Sequence, residues 1–179
     1  MGDGRGLRWV RLVLILSTLL GGCALPGNAA PVVKLGLIGP FEGAGREVGY
    51  AVLPAVKAVV SAANASGDLG AYRVALVVVN DSNDPAAAER EARALAAHPD
   101  VLAIIGPFTG ETAAAAGSVA RARGIPWIPA AGSADGDPAD EISLATHAAK
   151  AATAALAADI LRNGRPSRQG VQAYLQSAP

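Results

Sequence analysis

Three glycine-rich segments carry the residues best suited to hold a small ligand. They are Gly39-Pro40-Phe41-Glu42-Gly43-Ala44-Gly45-Arg46, Gly106-Pro107-Phe108-Thr109-Gly110 and Pro129-Ala130-Ala131-Gly132-Ser133. Each follows a short apolar run, and the first two lead into a helical pattern. Small side chains let backbone N–H groups approach a ligand closely. Unpaired N–H groups at a helix start favour a carboxylate or phosphate. Phe41 and Phe108 could add apolar contact. Such residues bind a solute; they do not make or break bonds. Taken singly, each segment reads first as a tight turn between strand and helix. Their meeting at one sheet edge is what would make them a site.

Other chemistry finds little support. His98 falls at the amino end of a predicted strand, and His147 sits on a long helix with no acid or nucleophile near it in sequence. Neither supports a Ser-His-Asp arrangement. Asp81, Asp84, Asp135, Asp137 and Asp140 lack the spacing of a calcium loop and read as caps and solvated loop positions. Gly43-Ala44-Gly45 with Gly49 is a loose relative of a dinucleotide fingerprint. Its glycines start too far beyond the strand, and Asp81 is too distant for the ribose. One cysteine excludes an internal disulfide, and with two histidines it makes a poor zinc set. No cofactor, metal or catalytic residue is expected.

The elements that must position the three loops follow from composition and period. The chain has 179 residues with 15 basic and 15 acidic side chains, a net charge of zero. That length suits one domain, and the neutral balance argues against nucleic-acid binding. Hydrophobic residues make up 51% and aromatics 4%, and 41 residues are alanine. The core must therefore be built from small side chains with Val, Leu and Ile. Strands are predicted at 32–38, 72–79, 101–105 and 125–128. Pro54 is tolerated in a first turn, so the first helix should begin close to Ala51, with Val52, Val56, Val59, Val60 and Ala63 on its inner face. Asp84-Pro85 predicts an N-cap followed by Pro at the first helical position. Further helices are expected at about 111–123 and 143–162, and a last short one after Ser167. Apolar strands alternating with helices predict an α/β fold of three αβα layers around a parallel, flavodoxin-like or Rossmann-like sheet. Ligands of such sheets lie beyond the carboxyl ends of the strands, where strand order reverses.

The first 22 residues read as an export signal. Arg5, Arg8 and Arg11 precede an apolar stretch from Leu12 to Leu20, too short to span a bilayer. Leu20-Gly21-Gly22-Cys23 resembles a bacterial lipobox, which implies lipidation of Cys23 and an extracytoplasmic chain anchored to the cell membrane. Residues 23–31 would be the lipidated tether. Without residues 1–22 the chain keeps 12 basic and 14 acidic residues, a net charge of −2.

Four segments in order carry a wider resemblance. They are Val33-Lys34-Leu35-Gly36-Leu37-Ile38-Gly39-Pro40-Phe41, Val79-Asn80-Asp81-Ser82-Asn83-Asp84-Pro85, Ile104-Ile105-Gly106-Pro107-Phe108-Thr109 and Gly124-Ile125-Pro126-Trp127-Ile128-Pro129-Ala130-Ala131-Gly132-Ser133. Together they resemble the type I periplasmic binding proteins of the leucine/isoleucine/valine class, the solute receptors of ABC importers. The resemblance implies that Phe108, Thr109 and Gly110, with Ala131, Gly132 and Ser133, contact a small solute such as an amino acid. It implies an importer permease as partner and no enzymatic activity. Family members clamp the solute between two lobes. Residues 32–141 resemble the first part of lobe one, and about 147–179 resemble the segment that returns to finish it. The chain is thus expected to form one lobe and to bind solute weakly or not at all. The alternative functions are an interaction module that dimerises through Phe41 and Phe108, or a decayed copy with no transport role.

Overall fold

The structure, a computed structural model, describes residues 29–131 and 138–177. Four parallel strands form the sheet: β1 (Val32–Gly39), β2 (Arg73–Asn80), β3 (Val101–Ile105) and β4 (Trp127–Ile128), in the order β2-β1-β3-β4. Five helices surround it: α1 (Arg46–Ser66), α2 (Pro85–Ala97), α3 (Gly110–Ala122), α4 (Pro138–Asn163) and α5 (Arg168–Ser177). The chain steps one way from β1 to β2, then back across β1 to β3 and on to β4. Right-handed crossovers therefore place α1 on one face and α2 and α3 on the other.

The two cores bear this out. Val52, Val56 and Val60 of α1 pack with Ala145, Ala149, Ala152 and Leu156 of α4 and Val171 of α5 against Leu35 and Leu37. Across the sheet, Ala88, Ala92 and Leu95 of α2 and Ala116, Val119 and Ala120 of α3 cover Ile38 and Ile104. Every residue of β3 is buried, as a strand covered on both faces must be. The three-layer α/β architecture expected from the sequence is the one observed.

Several boundaries differ. α1 begins at Arg46, not near Ala51, and Pro54 lies inside it. Tyr50 is 60% exposed and Pro54 is also exposed, so the carbonyl that loses its partner lies on the solvent side of the helix. β4 is only two residues long, and α4 starts five residues earlier than expected. The Asp84 cap and Pro85 stand as read: Asp84 Oδ1 accepts from the Ala86 N–H at 3.1 Å. Glu89 and Arg93, one turn apart on α2, form an ion pair.

α5 is pinned to the amino end of the sheet. Arg168 donates to the carbonyls of Val101, Ala96 and His98 at 2.9, 3.0 and 2.6 Å. Burial pulls its pKa below the ordinary guanidinium value. Asp159, itself buried, accepts from the Ser167 N–H and hydroxyl at 2.7 and 2.9 Å and from Asn163 Nδ2 at 2.6 Å.

Candidate functional site

Strand order reverses between β1 and β3, and the register brings the three loops to that edge. Leu37 pairs with Ile105, Ile105 pairs with Ile128, and the Gly106 N–H donates to the Ile128 carbonyl at 3.1 Å. The segments beginning at Pro40, Gly106 and Pro129 therefore leave the sheet side by side. Gly132 and Ser133 lie outside the described residues, as does Cys23.

The β1 loop is organised from β2. The Phe41 and Glu42 N–H groups donate to Asn80 Oδ1 at 2.8 and 2.9 Å, and the Ser82 N–H joins them at 3.1 Å. Asn80 Nδ2 donates to the Ser82 hydroxyl at 2.7 Å. Two backbone donors of the loop are thus already used within the protein. Asn80 was not among the expected site residues. Its sequence signal was only its place at a strand end before Asp81-Ser82-Asn83, where Ser82 and Asn83 take positive φ. The Phe41 ring is half-buried against α1 beside Gly49.

The β3 loop is built around one buried ring. Phe108 is 3% exposed and lies on Gly39, where a Cβ would come within 2.3 Å of the ring. Gly106 takes φ +84°, and a Cβ there would meet the Ile38 carbonyl oxygen at 2.3 Å. Only glycine lets the loop approach β1 so closely. Phe108 was expected to face a ligand; its ring instead belongs to the core and supports the loop from beneath. From the opposite face Trp127 Nε1 donates to the Gly106 carbonyl at 2.7 Å. The Arg121 guanidinium sits 5.9 Å from the centre of the Trp127 ring.

Beyond Phe108 the loop opens. Thr109 is the N-cap of α3, yet its side chain caps no backbone N–H. Its hydroxyl lies 2.7 Å from that of Thr112, and either can donate; the Thr112 hydroxyl also lies 3.1 Å from the Thr109 carbonyl. In either arrangement the Thr109 oxygen keeps a lone pair that can accept from a donor. Gly110 is exposed, with no atom within 4 Å of where a Cβ would stand. Among the described residues, the first turn of α3 thus combines unused N–H groups, an available acceptor and open space. Ala130 is buried and Ala131 half-buried beside it.

Asp81 ends β2 on the α2 side. It is 1% exposed; one carboxylate oxygen accepts from the Asn83 N–H at 2.9 Å, and Oδ2 has no partner among the described residues. Burial raises its pKa above the ordinary 3.8, and nearby Asp84 adds to the rise. Two grooves of about 480 and 590 Å³ lie elsewhere, against α4 and the α1–β2 turn; alanines line much of the first. Both lie away from the carboxyl ends of the strands, where solutes bind to open parallel sheets.

This doubly wound lobe, with glycine-rich loops at its switch point, has the architecture of one lobe of a type I periplasmic binding protein. The chain belongs to the periplasmic binding protein family, whose model matches residues 32–171. That is a family of solute-binding proteins, and membership implies an extracytoplasmic location. A search of curated proteins gave no match. Among solved structures, the lobe is similar to one assigned to branched-chain amino acid ABC transport in Rhodospirillum rubrum, with 25% identity and a TM-score of 0.55 over 64% of this chain and 32% of that one. It is also similar to the branched-chain amino acid transporter substrate-binding protein LivJ of Streptococcus pneumoniae, solved with isoleucine (26%, TM-score 0.53, 59% of this chain and 30% of that one). A third is an ABC transporter solute-binding protein of Rhodopseudomonas palustris, solved with 3,4-dihydroxybenzoic acid (26%, TM-score 0.50, 56% and 27%). The chain therefore spans about a third of the length of these proteins.

Proposed function

We propose that this chain is an extracytoplasmic solute-binding lipoprotein of a branched-chain amino acid-type ABC importer, anchored through Cys23 and presenting one lobe to its solute. The observation that carries the site is the open first turn of α3 at the switch point. A carboxylate would take the N–H groups of Gly110 and its neighbours, and an ammonium would find the Thr109 oxygen. Ala131, Gly132 and Ser133 would complete the seat. Exposed Glu42, Glu47, Glu111 and Asp140 around this edge suit a ligand that carries a positive group as well as a negative one. The half-buried Phe41 ring supplies apolar contact.

One wall holds a solute loosely. Small-molecule sites bury roughly 70–90% of the ligand, and the described residues of this lobe supply one side. Affinity of the lobe by itself should be on the order of millimolar or weaker, about −4 kcal/mol. Ligand-observed NMR on the full chain with leucine, isoleucine, valine and small carboxylates tests this. Weak, saturable binding should disappear in Gly110→Asp, whose carboxylate competes for the same donors. Micromolar binding would overturn the one-wall reading, and binding indifferent to Gly110→Asp would move the seat elsewhere. Dimerisation through Phe41 and Phe108 finds no support, because the Phe108 ring is not on the surface.

A further inference from the structure

The described lobe is electrically polar along its strand axis. The carboxyl edge exposes Glu42, Glu47, Asp84, Glu111 and Asp140, with Arg46 as the opposing charge. The amino edge, where strands begin and helices end, exposes Arg73, Arg121, Arg123, Arg162 and Arg165. Opposing them there are Asp68 and Asp100, and Asp100 is paired with Lys34 at 3.6 Å. Buried Asp159 is taken up by Ser167 and Asn163.

The same end carries the most exposed large hydrophobic side chain of the described residues. Leu161 is 88% exposed at the foot of α4, beside Arg162 and the turn at Gly67–Gly70. Val32, at the start of β1, is 48% exposed and pairs with Arg73. An exposed leucine alone is ordinary. Here it stands beside Arg162, which has no carboxylate partner among the described residues, at the end where the chain enters the lobe. Cys23 lies nine residues before Val32 in the sequence.

We propose that this basic end of the lobe rests on an anionic lipid surface, with Leu161 in the interface and Arg73, Arg162 and Arg165 against the headgroups. An apolar tip flanked by long cationic side chains fits a lipid–water boundary. Basic groups near such a surface are drawn to it and are screened by salt. A symmetric pairing of two copies through this end fits poorly, because it would bring like charges together. The docked lobe would turn the carboxyl-edge loops away from the bilayer, open to solute. The inference rests on lipidation of Cys23 as proposed above.

The test uses the full chain extracted from membranes and placed in vesicles of phosphatidylcholine with phosphatidylglycerol. An environment-sensitive fluorophore is attached at Leu161→Cys or, as a reference, at Glu111→Cys on the opposite edge. A mass spectrum reads the state of Cys23 separately. The label at 161 should shift to the blue and resist an aqueous quencher, while the label at 111 stays in water. High salt, pure phosphatidylcholine, or Arg162→Glu with Arg165→Glu should return the 161 label to water, the double variant shifting the docked-to-free ratio on the order of tenfold. A lipidated chain with both labels equally exposed would overturn the docking alone. A Cys23 without lipid would sink the anchored reading, and the docking with it. Protection at 161 that grows with protein concentration in the absence of vesicles would assign the face to a second copy and overturn the proposal.

Discussion

Two helices start at the same edge of the sheet and finish their first turns differently. At α2, Asp84 accepts from the Ala86 N–H and Pro85 needs no partner. At α3, Thr109 bonds sideways to Thr112 and leaves the turn uncapped. The α2 turn is closed by its own sequence, and the buried Asp81 carboxyl lies just before it. The α3 turn is held open on a rigid base, with Phe108 on Gly39 below it and Trp127 bonded to Gly106. A helix start becomes a site when its support comes from behind and its donors are not already spent.

The largest test removes that support. Phe108→Ala should cost about 3–5 kcal/mol, because a buried ring leaves a cavity that β1 and the loop cannot fill. Denaturant unfolding would read it. A cost under about 1 kcal/mol would mean that the ring is not core, and the reading of Phe108 as a ligand contact would return.

A smaller effect comes from the closed end. The folded pKa of Asp81 is raised by burial, above the 3.8 of the unfolded chain. Between those values the folded state binds more protons, so stability falls as pH rises through the window and stays lower above it. Asp81→Asn keeps the acceptor for the Asn83 N–H and removes the buried charge. It should stabilise the protein at neutral pH by about 1 kcal/mol and flatten that pH dependence. Thermal melts at several pH values check both points. An Asp81→Asn variant less stable at neutral pH would mean that the carboxylate has a partner outside the described residues.

Much of this contrast could be read from the residues. Asp84-Pro85, the apolar run of β3 and the inner face of α1 are local patterns, and they folded as read. The limits lay where partners are distant in sequence. Phe108 on a glycine-rich loop looks like a ligand contact until Gly39, at the end of another strand, offers it a slot. Asn80 looks like a turn residue until the Phe41 and Glu42 N–H groups, nearly forty positions earlier, turn to it. Pro54 marks a helix start by rule, but a helix tolerates it farther in when that side faces water. The polarity of the lobe was invisible in a net charge of zero. It appears only when parallel strands send all helix ends to one side.

The finest test sets the two caps against each other. Asp84→Ala removes a bond to a helix N–H and should cost about 1 kcal/mol, lowering the melting temperature by roughly 2–4 °C. Thr109→Ala removes only the bond to the Thr112 hydroxyl, which the Thr112 bond to the Thr109 carbonyl partly replaces, and should cost under about 0.5 kcal/mol. Solute binding should show the reverse order: untouched by Asp84→Ala, weakened by Thr109→Ala through the lost acceptor. Comparing melts and ligand-observed NMR on the same two variants separates a structural cap from a recognition group. If Thr109→Ala destabilises as much as Asp84→Ala, the α3 turn is closed by a structural bond after all, and the open donors proposed for the solute are lost.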